Sequence, residues 1–297
     1  MKNDTYLNIL LSYAYLGKDA EMTKLAISSA KNGEINLMID SGAFTKHNAK
    51  SAFDHVNMDE YCTFLEKVSP YAEKYVMLDV VGNAEKSKEN YETMIRRGFN
   101  PMFVATLFDK DYSYLREAVG NNPHLCVAGG VTTKGPWMIK RFQTIYKESG
   151  EKALIHGLGY VTFPKMFQLP LYSVDSSSWV APARFGRLDY FDNGMKGIGC
   201  REVLRGQKKP TSKLKELLNE FRVTPAMFVR EAIHHGQASL EMLSGIYSNI
   251  RMQRYCKRHG LDYFLAVATK TQVRQIMWVA ENLNDISFEK FYNLFKS

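Results

Sequence analysis

Three apolar runs in this chain each end in an aspartate. NLMID closes on Asp40, KYVMLD on Asp79 and LYSVD on Asp175. Carboxylates are depleted in strands. At the C-terminal end of a strand, before a polar loop, a carboxylate stands where barrels and open α/β sheets keep their chemistry. A fourth run, HLCVA, leads into Gly129 and Gly130, where the backbone can approach a flat ligand closely. Any one of these aspartates has a plainer reading, as a loop residue capping the next helix. Three of them, separated by helix-length segments, point to one shared pocket at one face.

The alternation behind that pattern sets the fold class. Strands are expected at 7–14, 36–40, 74–80, 101–106, 124–128, 153–157 and 171–174. Helical periodicity fills 18–32, 58–69, 84–97, 111–119 and 136–148. Strand–helix alternation at this spacing argues a parallel sheet. So many repeats favour closure, so the expectation is an α/β fold of the (β/α)8 TIM-like barrel type. Tyr263–Thr269 is the candidate eighth strand. It follows a basic, mostly helical insertion at about 200–262, and C-terminal helices at 271–283 and 287–296 complete a single domain over 1–297. Within the insertion, Leu214, Leu217, Leu218 and Phe221 share one helix face. Thr224-Pro225 reads as a helix start, with Gly236 as its stop. A second helix spans about 238–258 and carries Arg251, Arg254 and Arg258 on one face, a stripe suited to phosphates or to solvent.

The chain has 297 residues and a net charge of +8. Residues 201–297 hold 16 Lys plus Arg against 9 Asp plus Glu, so nearly all the excess lies downstream of Asp175. A polyanion such as DNA or RNA is the partner this suggests, with a solvated basic surface as the alternative. Cys62, Cys126, Cys200 and Cys256 are scattered, with neither zinc spacing nor a disulfide framework, which suits a reducing cytoplasm. No run of 18 apolar residues predicts a membrane span, and the apolar stretch after Tyr6 reads as a first strand, not a signal peptide.

Two segments carry a family resemblance. Asp40-Ser41-Gly42-Ala43-Phe44 resembles the DSGGF-type signature of the tRNA-guanine transglycosylases, which are (β/α)8 barrels. Asp175 followed by Val180, Pro182, Arg184, Gly186 and Arg187 resembles that family's nucleophile segment. Gly129-Gly130 resembles its double glycine, and His156 to Gly159 a segment beside its base pocket. Order and approximate spacing agree over about residues 36–190. The Cys-x-Cys-x-x-Cys zinc motif of the tRNA enzymes is not in this sequence, and His234 and His235 have no cysteine cluster beside them. The short, zinc-free form is similar to the DpdA-type DNA-guanine transglycosylases of bacteriophages and bacterial DNA-modification systems.

The resemblance implies a reaction and roles. Guanine in DNA would be exchanged for a 7-deazaguanine such as 7-cyano-7-deazaguanine, with no metal or other cofactor. Asp175 would be the nucleophile and Asp40 the general acid/base. Asp79 would accept from the N–H edge of the base and Phe44 would stack on it, with Leu158 and Gly159 on its other side. Gly129 and Gly130 would reach exocyclic groups, and Ser41 would hold the sugar or Asp40. Arg184 and Arg187 would contact phosphates. Trp179 and Phe185 would hold a flipped nucleotide or pack the barrel rim. A compact tRNA transglycosylase and a non-catalytic nucleic-acid-binding relative are the competing readings.

Overall fold

A computed structural model describes residues 7–17, 19–43, 56–105, 112–128, 135–191, 198–203, 212–224, 227 and 238–296. Eight strands form one parallel sheet. They are β1 (Leu7–Ser12), β2 (Ile35–Asp40), β3 (Lys74–Tyr75), β4 (Phe103–Ala105), β5 (His124–Val127), β6 (Leu154–Gly157), β7 (Leu171–Ser176) and β10 (Asp262–Val267). Their spatial order is β3-β2-β1-β10-β7-β6-β5-β4. The two ends of that order meet. Val76 bridges Met102 in parallel, the Met77 N–H donates to the Met102 carbonyl at 3.0 Å, and the Met102 N–H donates to the Tyr75 carbonyl at 2.8 Å. The sheet is therefore closed, as the alternation predicts. Its eighth strand is the expected YFLAVA segment, lying between β7 and β1.

Register divides the side chains cleanly into two faces. Ser12 pairs with Asp40, Cys126 with His156, His156 with Ser173, and Asp175 with Phe264. Directly paired residues project to the same side of a sheet, and so do residues two apart. These side chains therefore share one face. The opposite face carries Ile9, Leu11, Ile39, Val127, Ile155, Val174 and Leu265, all fully buried. Gly157 belongs to that second face, and the space beside it is filled by Phe142 of the helix Pro136–Glu148. The helices thus cover the Val174 side, and Asp40, His156 and Asp175 point into the barrel.

Local sequence chemistry starts the helices. Asp19, Asn57, Asn83, Ser239, Thr269 and Ser287 each accept a backbone N–H of the following first turn. Such caps satisfy donors that a helix leaves unpaired, each contributing about 1 kcal/mol. Pro136 stands at the first turn of its helix, where a missing N–H costs little.

Ahead of the mostly helical insertion expected at about 200–262, and running into its start, the chain adds elements absent from the sequence expectation. They are a short helix, Ala181–Phe185, and an antiparallel hairpin of β8 (Arg187–Phe191) and β9 (Ile198–Val203). Helices follow at Ser212–Glu220 and Leu240–Arg258. The second of these is wedged between the hairpin and the barrel and is buried on nearly every side up to Cys256. At Gly245 it passes so close to the barrel rim that an added Cβ would lie 2.1 Å from the Trp179 carbonyl oxygen. Near its other end Gln253 donates to the carbonyls of Asn8 and Tyr263, and Lys257 pairs with Asp262 at 2.8 Å. Those partners open their strands. The helix therefore runs antiparallel to the strands, from the mouth where the strands end to the floor where they begin.

Candidate active site

The mouth is built around three carboxylates. Asp40 is the last residue of β2, and its Oδ2 accepts the Gly42 N–H at 2.9 Å. Gly42 has φ +82°, the left-handed conformation that suits glycine. Asp79 follows β3, and the Ser41 hydroxyl donates to its Oδ1 at 3.1 Å. Ser41 thus holds Asp79, not Asp40. Asp175 lies inside β7 instead of just beyond a strand ending at Val174, because pairing with Phe264 and Leu265 carries the ladder through Ser176.

The three are electrostatically coupled. Burial first, then the charge of Asp79 and more weakly that of Asp175, raise the Asp40 carboxyl from 3.8 to about 7, against pulls from the Gly42 N–H and the Ser12 hydroxyl. Asp79 is also raised by burial, while Ser41 favours its ionised form. The Cys126 thiol on β5 is pushed well above its usual range by burial and then by Asp40, Asp175 and Asp79 together. All three carboxylates therefore lie within electrostatic reach of Cys126, whose side chain shares the inward face with His156.

Asp175 is held from β6 and the turn that follows it. Its Oδ1 accepts the Gly159 N–H at 2.7 Å and faces the His156 Nε2 at 3.2 Å. His156, only 1% exposed, sets its Nδ1 against the Ser173 hydroxyl at 2.8 Å. Gly159 has φ +63°, which turns its N–H onto the carboxylate. Leu158 is half-buried in the same turn. The Ser173–His156–Asp175 arrangement was not among the expected roles. Its visible trace is polar residues at alternate positions, Ser173 and Asp175, in an otherwise apolar strand.

Other expected contributors divide. Phe44, Gly129, Gly130, His234 and His235 lie outside the described residues. Trp179 is fully buried and its Nε1–H donates to the Ala266 carbonyl at 2.9 Å, so it packs the rim. Phe185 is 59% exposed and Arg184 is exposed beside it. Arg187 is already engaged, with Asp189 at 2.9 Å from its Nε and its guanidinium over the Phe185 ring. The arginine stripe does not border the mouth. Arg251 stacks on Tyr190 and Tyr247 and pairs with Glu220, and Arg254 and Arg258 flank Gln253 and Lys257 on the floorward half of their helix. Arg258 lies over Tyr255 of its own helix, whereas Arg251 also takes Tyr190 and Glu220 from other elements.

No protein-family model matches this sequence, and no curated protein matches it. Two solved structures align along nearly the whole chain. A truncated 3-deoxy-D-arabino-heptulosonate 7-phosphate synthase from Thermotoga maritima is 11% identical, with a TM-score of 0.41, covering 99% of this chain and 85% of its own. The YdjI aldolase from Escherichia coli K12 is 16% identical, with a TM-score of 0.35, covering 98% and 86%. Likeness at that distance carries no argument about chemistry, and the fold rests on the strand pairing above. No helix among the described residues is long and apolar enough to cross a membrane.

Proposed function

We propose that this protein is an enzyme, a base-exchanging transglycosylase that replaces guanine in DNA with a 7-deazaguanine. One observation carries the reading. Two carboxylates sit at the mouth of one barrel: Asp40, raised to about 7 by burial, by Asp79 and more weakly by Asp175, and Asp175, whose Oδ1 accepts the Gly159 N–H and faces the His156 Nε2. Acid and nucleophile of a retaining glycosyl transfer need that division of labour. In this reading Asp175 attacks C1′ as the bond to N9 of guanine breaks. The electron pair leaves with the base, which takes the Asp40 proton. The incoming base gives its N9 proton back to Asp40, attacks C1′ and expels Asp175. Two inversions restore the original anomer, and both aspartates end as they began.

The choice of DNA is supported by the zinc-free resemblance, and the basic final third of the chain suits a nucleic acid of either kind. Exposed Arg184, next to the mouth, suits a phosphate. The test is incubation with labelled guanine and either duplex DNA or tRNA. Label is expected in DNA and not in tRNA, and exchange should vanish in Asp175→Ala. Label entering tRNA alone overturns the DNA assignment, and full exchange by Asp175→Ala overturns the mechanism.

A further inference from the structure

We propose that His156 is a positioning residue for Asp175, donating its Nε2–H to Oδ1 so that Oδ2 is the oxygen that bonds to the sugar. The inference rests on the transglycosylase reading above. His156 and Ser173 are directly paired across β6 and β7, and Asp175 lies two residues further along the same inward face. The imidazole therefore spans from Ser173 to Asp175, with contacts of 2.8 and 3.2 Å at its two nitrogens. A hydroxyl both donates and accepts. When the Ser173 O–H donates to Nδ1, the proton of the neutral ring sits on Nε2, facing the carboxylate.

Both donors to Asp175 among the described residues, Gly159 N–H and His156, converge on Oδ1. Oδ2 keeps its lone pairs for C1′. Once the ester forms through Oδ2, Oδ1 is its carbonyl oxygen and retains both donors. In the second displacement negative charge returns to the carboxylate, and the same two donors stabilise it as it leaves. Fixed donors aimed at developing charge act without reorganising during the reaction. His156 thus acts most strongly on expulsion of Asp175.

Imidazole nitrogen spectra of the whole ¹⁵N-labelled protein test the hydrogen bond directly, with His156 assigned through His156→Gln. A proton on Nε2 whose signal moves in Asp175→Asn is expected. A bare Nε2 with the proton on Nδ1 overturns the proposal. Kinetics with DNA and labelled guanine test the role. His156→Leu should lower kcat roughly tenfold to a hundredfold, with KM for the base unchanged. A larger share of protein should be trapped as sugar adduct on denaturing gels. His156→Gln, which keeps an N–H donor, should recover part of kcat. Ser173→Ala is the milder probe should His156→Leu fail to fold, and it should admit the Nδ1–H tautomer while lowering kcat. Wild-type rates in all folded variants overturn the proposal. Folded wild-type protein that exchanges no guanine removes the transglycosylase reading instead, and the imidazole spectra still decide the hydrogen bond.

Discussion

After burial itself, the charge of Asp79 is what most raises the Asp40 carboxyl, to about 7. Asp40 ends β2 and Asp79 follows the neighbouring β3, and Ser41 ties the second to the loop that follows the first. A buried carboxyl beside a carboxylate keeps its proton longer than either circumstance alone would allow.

That proton links stability to pH. Unfolded, the Asp40 carboxyl ionises near 3.8, while folded it holds its proton to about 7. Below 3.8 both states are protonated and Asp40 contributes no penalty. Between 3.8 and 7 the unfolded state ionises alone, so stability is lost as pH rises, and above 7 the loss is constant. Asp40→Asn should therefore be more stable than wild type at pH 8 by on the order of 2–4 kcal/mol, with the gap closing toward pH 4. Urea unfolding at both pH values measures it. Exchange activity should fall above about pH 7 as Asp40 loses its proton.

Gly42→Ala should damage activity beyond its effect on folding. An added Cβ would lie 2.5 Å from the Ala14 Cβ and 2.7 Å from the Ser12 Oγ, at a φ of +82° that alanine disfavours. The loop must shift, withdrawing the N–H that Asp40 accepts. A stability loss of about 2 kcal/mol and a fall in kcat of roughly tenfold or more are expected. Thermal melts and steady-state rates on one preparation separate the two.

Arg184 and Arg187 should fail in different ways. Arg187 neutralises Asp189, whose side chain is 4% exposed, so Arg187→Ala should destabilise the fold by about 3 kcal/mol. Arg184 is exposed and makes no ion pair among the described residues. Arg184→Ala should leave the melting temperature unchanged, weaken DNA binding, and reduce the slope of log affinity against log salt by about one. Binding isotherms at several salt concentrations check the slope.

Gly245→Ala should cost about 3 kcal/mol, because its Cβ meets the Trp179 carbonyl at 2.1 Å and both backbones are held by packing. Gly33→Ala is the control. At φ +73° with open space around it, only the backbone preference is violated, at about 1 kcal/mol. Denaturation midpoints of the pair distinguish steric overlap from conformational strain.

The sequence was most readable where periodicity and caps agree. The helices at 84–96 and 136–148 and all eight barrel strands fall within a few residues of the expected bounds, except β3, where regular pairing stops at Tyr75 and only an isolated bridge follows at Val76. The β8–β9 hairpin was not legible. Its strand RLDYF buries Leu188, Asp189 and Phe191 together, which breaks the two-residue alternation that marks a half-buried strand. Asp40 and Asp175 were each legible as acids at the C-terminal end of a strand. The imidazole between Ser173 and Asp175 depends on register across β6 and β7, where a bulge at Ile155–His156 resets the count, and no single segment encodes it.

β7 ends at Ser176, but its neighbour in the wall, β10, begins only at Asp262. During synthesis the ribosome must therefore deliver the hairpin and the long buried helix before the last plank of the wall exists. Without β10, the edges of β1 and β7 that it pairs with are left open. Asp175 acquires its neighbour Phe264 only at that late step, so a chain truncated before Asp262 leaves the wall open beside Asp175.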